Sequence, residues 1–210
     1  MKKWSDVIYD KNTKFTTPLP DENFLLSLPK NVNILDVGCG YGRTLQYLNS
    51  LGFYNLTGFD VSSDYVAKAK RDCPLAKVFV SDFKDYDLKD KYDLILLMGV
   101  IEYILTDKER NTFFDKISKN LSEDGHVLLE TFVMDVKSGW KSYLLGFVKT
   151  LHFGRFKNSK GFDCFHQSAT ALEKILRKYF VIEYETKKEY LTWTNNLSKG
   201  HYFVLKQKII

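Results

Sequence analysis

Apolar and polar positions alternate along this chain in a repeating order of short buried runs and longer amphipathic ones. Ile34–Val37 is a short apolar run, which reads as a buried strand. Arg43–Leu51 follows with Leu45, Leu48 and Leu51 on one helical face and Gly52 as a stop signal. Asn55–Asp60 is a second strand. Ser62 caps a helix through about Arg71, and Ala76–Ser81 is a third strand. Tyr92–Met98 is apolar along nearly its whole length, as expected of a strand covered by helices on both faces. Thr106 and Glu109 form a capping box ahead of a stripe of Phe113, Phe114, Ile117 and Leu121. Glu123-Asp124-Gly125 then turns the chain into a fifth strand, His126–Val133.

Such alternation predicts a parallel sheet with right-handed crossovers. The end of the chain departs from it. Thr170 opens a last helix, with Leu172, Ile175, Leu176 and Tyr179 inward. The strands about Val181–Tyr190 and His201–Gln207 are joined too closely for a crossover helix, so they pair antiparallel. At 210 residues, one domain covering 1–210 is the economical reading. Residues 1–30 form an N-terminal lid segment within it, and 134–167 form a basic, aromatic helical or loop cap inserted after the fifth strand. That insert reads as a cap over a small ligand, as plain packing on the core, or as a surface for nucleic acid or membrane.

Composition narrows the class. Hydrophobic residues at 44% and charged residues at 27% fit an ordinary soluble globular protein. Met1-Lys2-Lys3 leads into no apolar signal-peptide core, and the longest apolar run, Leu94–Ile101, is too short to span a bilayer. Cys39, Cys73 and Cys164 suggest neither a disulfide framework nor a zinc site, so the expected compartment is a reducing cytoplasm and no metal is expected. Charge is unevenly spread. The insert carries six basic residues (Lys137, Lys141, Lys149, Arg155, Lys157, Lys160) against Asp135 and Asp163, nearly all of the net charge of +5. A basic field favours anionic partners.

The most informative stretch is Ile34-Leu35-Asp36-Val37-Gly38-Cys39-Gly40-Tyr41-Gly42. Glycines at a strand end let a ligand lie against bare backbone. Asp36 on the strand repels a pyrophosphate and attracts a cation. The spacing also departs from the Gly-x-Gly-x-x-Gly of a dinucleotide site, which sets aside a dehydrogenase. Three further pieces fall at successive strand ends: Asp60-Val61, Ser81-Asp82-Phe83, and Met98-Gly99-Val100. In open α/β sheets that edge is where ligands bind. Asp60 lies 18 residues past Gly42, where an acid accepts ribose hydroxyls. Each piece alone also reads as a turn or a helix cap.

Together with Tyr92-Asp93-Leu94-Ile95 and Leu121–Leu129, these segments resemble the class I S-adenosylmethionine-dependent methyltransferases. The resemblance implies a Rossmann-like α/β fold: a seven-stranded mixed sheet with helices on both faces, its seventh strand antiparallel between strands five and six. It implies S-adenosylmethionine as cofactor. Asp36, Gly38, Cys39, Gly40 and Gly42 meet the methionine portion, Asp60 the ribose and Asp82 the adenine, with Val61 and Phe83 flanking the base and Met98 at the edge of the pocket.

Catalytic candidates are Glu102, in a segment where relatives more often read Leu-Glu-His and this chain has Tyr103, and His166 at the end of the insert. Displacement at a sulfonium needs alignment first and a base only when the acceptor must lose a proton. Tyr103, Lys137, Trp140 and Arg155 are candidates for holding substrate, as are Trp4 and Tyr9 in an N-terminal lid. For each, plain packing is the alternative. The expected activity is methyl transfer, by preference to oxygen, of a small anionic or sugar-like metabolite such as a surface-polysaccharide precursor. A nucleic-acid methyltransferase and a non-catalytic cofactor-binding module remain alternatives. The former lacks its usual Pro-Pro-aromatic motif after the fourth strand, where this chain reads Met98-Gly99-Val100.

Overall fold

The structure, a computed structural model, describes residues 19–86, 90–134, 136–158, 160–191 and 197–208. The elements run α1 (Glu22–Leu26), β1 (Ile34–Val37), α2 (Arg43–Ser50), β2 (Leu56–Asp60), α3 (Ser63–Asp72), β3 (Lys77–Val80) and β4 (Tyr92–Met98). A 3-10 turn (Ile101–Tyr103) then leads to α4 (Asp107–Lys119), β5 (Leu121–Phe132), α5 (Val136–Thr150), β6 (Arg155–Lys157), β7 (Asp163–Phe165), α6 (Ala169–Tyr179), β8 (Phe180–Leu191) and β9 (Leu197–Gln207).

Seven strands form one sheet in the order β3-β2-β1-β4-β5-β9-β8. The strands from β3 to β5 are parallel; β9 pairs antiparallel with β8, as the short connection predicts, and lies between β5 and β8, as the family resemblance implies. The order reverses between β1 and β4, so the loops after those strands bound one crevice. β5 begins earlier than expected. Leu121 already pairs with Tyr92, and a register shift between Tyr92 and Leu94 absorbs the Glu123-Asp124-Gly125 turn without ending the strand.

Each face of the sheet has its own core. On one, Leu35, Ile95, Leu97, Val127, Leu129 and Phe203 pack under α4 and α6 through Phe113, Phe114, Ile117, Leu172 and Leu176. On the other, Ile34, Leu94, Leu96 and Leu128 meet Leu45 and Leu48 of α2 and Val66 and Ala69 of α3. Alternate residues of β1 and β4 thus serve opposite layers, which is why these strands are apolar along most of their length. Ser62 and Thr106 cap α3 and α4 as expected, by accepting from the N–H groups of Tyr65 and Glu109.

The insert after β5 is a helix followed by a two-stranded hairpin, β6 against β7. Its two ends meet, because the Met134 N–H donates to the Gln167 carbonyl at 2.8 Å. Arg110 of α4 fixes the hairpin to the segment that follows β4. Although fully buried, it donates to the carbonyls of Ile101 (2.9 Å), Ile104 (2.9 Å) and Phe165 (2.6 Å), and its guanidinium lies over the Phe165 ring. Burial lowers its pKa to about 10, so it stays charged at neutral pH.

Candidate active site

The rim is built from four loops, and backbone geometry explains the glycines. Gly38, Gly40 and Gly42 all have positive φ, at 69°, 54° and 84°. A Cβ on Gly38 would lie 2.8 Å from Val100 Cγ2, so the loop after β1 sits directly against the loop after β4. One on Gly42 would lie 3.0 Å from Ala69 Cβ, where α2 starts against α3. The Cys39 N–H donates to the Phe59 carbonyl at 3.0 Å, and its buried thiol is pushed well above the usual range by burial and by Asp36.

Asp36 sits in the middle of β1, between Gly58 and Leu96, and is almost fully buried. Its Oδ2 has no hydrogen-bond partner among the described residues. Burial first, then the nearby Asp60 carboxylate, raise its pKa to about 8, with Arg43 opposing them. A buried carboxyl oxygen with no partner is costly, so a ligand group that meets it is favoured there. The observation fits a positively charged cofactor. S-adenosylmethionine supplies a sulfonium methyl group when bound.

Asp60 ends β2 and spans the rim. Its Oδ2 accepts from the Gly40 N–H and its Oδ1 from the Ser62 N–H, both at 2.9 Å, with the Val61 amide beside the same group. Burial still raises its pKa. After β3, exposed Asp82 accepts from the Lys84 N–H at 2.9 Å. Phe83 packs its ring 4.2 Å from that of Phe113, and Lys116 Nζ lies over it while donating to the Phe83 carbonyl. Met98 is half-buried at the end of β4, and the Gly99 N–H that follows donates to the Glu130 carbonyl at 3.0 Å.

Below the insert lies a second set of groups. Glu102, buried in the 3-10 turn, accepts from the Thr131 hydroxyl at 3.3 Å. Burial raises its pKa to about 7, against the pull of Thr131 and Arg110. Tyr103 is half-buried, and its hydroxyl pKa is raised by burial, Glu102 and Cys164. His166 stands in an aromatic enclosure. Its Nδ1 is 3.0 Å from the Tyr143 hydroxyl, and the rings of Phe132 and Phe156 lie at 5.7 and 4.7 Å. Burial, helped by Arg110, lowers its pKa to about 3, which leaves a neutral imidazole at physiological pH.

The remaining candidates are dispersed. Arg155 is committed to the Leu105 carbonyl through Nε (3.0 Å) and Nη2 (2.7 Å). Trp140 is half exposed on α5. Lys137 belongs to the same helix. Trp4 and Tyr9, with the expected N-terminal lid, lie outside the described residues. Arg110 and Tyr143 were not singled out as site residues by sequence. For Arg110 a signal existed: it precedes Phe113 and Phe114 by three and four positions, which places it on the apolar stripe of α4. No group of three or more His, Cys, Asp or Glu residues that could hold a metal ion occurs among the described residues.

Comparison with known proteins agrees with this geometry. A family profile described as "Methyltransferase domain" matches residues 11–179. The chain is 31% identical over 107 residues to the cyclopropane-fatty-acyl-phospholipid synthase of Escherichia coli K12, covering 50% of this chain and 28% of that protein. The chain spans less than two thirds of the length of the curated relatives that it matches. Among solved structures, a methyltransferase from Methanosarcina mazei superposes with a TM-score of 0.82 at 23% identity, covering 92% of this chain and all of that one (100%). The N-methyltransferase NodS of Bradyrhizobium japonicum, solved with S-adenosylhomocysteine, has a TM-score of 0.65 at 16% identity and covers 89% and 84%. The chain belongs to the methyltransferase domain family, and its fold is that of the class I S-adenosylmethionine-dependent enzymes.

Proposed function

We propose that this chain transfers a methyl group from S-adenosylmethionine to an oxygen of a small anionic or sugar-like metabolite, such as a surface-polysaccharide precursor, in the cytoplasm. The observation that carries methyl transfer is the buried Asp36 carboxyl, whose Oδ2 lacks a partner at the base of a glycine loop. A cationic amino-acid moiety satisfies that oxygen. The amides of Gly38–Gly42 line its approach, Asp60 holds the ribose, and Asp82 meets the adenine edge between Val61 and Phe83, with Met98 closing the pocket. Three buried free thiols suit a reducing compartment.

Acceptor chemistry is assigned to the groups beneath the insert. Glu102, with a pKa near 7, is poised to take a proton from a hydroxyl at physiological pH. His166, uncharged and held by Tyr143, orients the acceptor; with a pKa near 3 it is too weak a base to take the proton itself. Tyr103 is assigned beside them to hold the acceptor, with Trp140, Lys137 and Arg155 of the insert and Trp4 and Tyr9 of the expected N-terminal lid as further candidates, and the basic insert draws an anionic group towards the site. Calorimetric titration with S-adenosylmethionine and with NAD tests the cofactor: the former binds and the latter does not. Release of S-adenosylhomocysteine across a panel of anionic and neutral hydroxylated acceptors tests the reaction. Unchanged turnover of every anionic acceptor after replacing Lys137, Lys141 and Lys157 by alanine would remove the anionic part of the reading.

A further inference from the structure

Helix α5 is turned inside out. Tyr143 and Gly146 face the protein: Tyr143 is buried against Phe156 and His166, and a Cβ on Gly146 would collide with the Arg155 carbonyl oxygen. The large apolar side chains of the same helix point outward. Trp140 is 50% exposed, Leu145 57% and Val148 69%, with Leu144 and Phe147 beside them. At the end of the helix Leu151 is 78% exposed, and it is the one non-glycine residue with positive φ among the described residues. A contiguous apolar face of this kind marks an interaction surface.

The charges around it select the partner. Lys141 and Lys149 are exposed on the same helix. From residue 136 to 162 the sequence has six basic residues and no acidic one. A second copy packed about a two-fold axis would set this basic face, which carries no acid, against another of the same sign. A nucleic acid would use the charge and the rings of Trp140 and Phe147, but would leave Leu144, Leu145, Val148 and Leu151, the larger part of the face, without a role, since aliphatic side chains do not stack on bases. An anionic bilayer uses both: the apolar side chains enter the acyl boundary while the ammonium groups remain among the headgroups.

We infer that α5 docks this protein peripherally on an anionic phospholipid membrane, with Leu144, Leu145, Val148 and Leu151 inserted and Lys141 and Lys149 at the headgroups. No helix among the described residues is long and apolar enough to cross a membrane, so this attachment lies along the surface. α5 leaves the carboxyl end of β5, the same sheet edge that carries the candidate cofactor rim.

Vesicle flotation of the full chain, without cofactor or acceptor, tests this. Vesicles of phosphatidylcholine containing roughly one third phosphatidylglycerol carry the protein upward, and pure phosphatidylcholine vesicles carry much less. Raised salt weakens the binding. The double change Leu144→Ser and Val148→Ser lowers binding roughly tenfold or more. Lys141→Glu with Lys149→Glu abolishes the preference for anionic lipid. Both pairs are exposed, and circular dichroism with the melting temperature confirms that the variants fold. Failure to float with anionic vesicles overturns the inference, as does flotation that the serine pair leaves unchanged. A dimer in equilibrium sedimentation that the serine pair dissociates, or RNA retention in a gel without flotation, assigns the face to another occupant. The measurement is separate from methyl transfer: an inert protein still floats, and an active one that stays in solution defeats only the docking.

Discussion

The Asp60 carboxylate holds the Gly40 amide at 2.9 Å, joining the end of β2 to the middle of the glycine loop. With its second oxygen on the Ser62 N–H, the same side chain also fixes the start of α3. The residue expected to bind ribose therefore also shapes the loop beside it, so its replacement has two consequences.

Asn at position 60 keeps one acceptor oxygen and turns the other atom into a donor facing an N–H. Asp60→Asn is expected to destabilise the protein by about 1–3 kcal/mol, seen as a lower melting temperature without cofactor. It also weakens S-adenosylmethionine binding by roughly tenfold or more. A variant that melts like the parent would show that the carboxylate does not organise the rim.

Asp36 couples cofactor binding to a proton. Its pKa near 8 means that between about pH 4 and pH 8 the folded chain keeps a proton that the unfolded chain has released. Stability therefore falls as pH rises through that window. A cofactor ammonium favours the ionised carboxylate, so binding near pH 7 releases about one proton. Calorimetry in buffers of different ionisation enthalpy measures this release. Asp36→Asn is expected to abolish it and weaken binding, while raising the stability of the cofactor-free protein at pH 8.

Gly38→Ala meets two obstacles at once. The φ of 69° is unfavourable for a residue with a Cβ, and the new methyl meets Val100 Cγ2. The expected cost is about 1–2 kcal/mol for the backbone plus overpacking of similar size. Adding Val100→Ala should recover the packing part and leave the backbone part. Denaturant unfolding of the two single variants and the double variant separates them.

His166 and Glu102 impose opposite pH slopes on stability. Between about pH 3 and pH 6.5 the unfolded chain binds a proton on His166 that the folded chain excludes, so stability rises with pH there. Between about pH 4.5 and pH 7 folded Glu102 holds a proton that the unfolded chain has lost, so stability falls with pH. His166→Phe should flatten the acid limb and Glu102→Gln the neutral one, both measured by urea unfolding from pH 4 to pH 8. If Glu102 acts as the base, Glu102→Gln also lowers kcat at least a hundredfold with little change in cofactor affinity.

Much of this architecture was legible along the chain because its signals are local. The period of apolar residues located β1, α2, β4 and α6, and cap residues fixed the starts of α3 and α4. The short β8–β9 connection forced antiparallel pairing. The early start of β5 was not legible, because a turn signal at Glu123-Asp124-Gly125 is overridden by pairing with Tyr92 across the sheet. Nor was the partner of Phe83 legible: its ring packs on Phe113 of α4, a distant segment.

The sequence by itself determined the order of strands and helices, the glycine loop and the acids at successive strand ends, since each depends on neighbours a few positions away. Only the tertiary structure decided that Asp36 is buried beside Asp60, that Arg110 turns inward to staple the Phe165 hairpin, and that α5 turns its leucines to the outside. Burial, carboxyl pKa and the side of a helix that meets the core are properties of contacts between remote segments. They exist only once the sheet has brought those segments together.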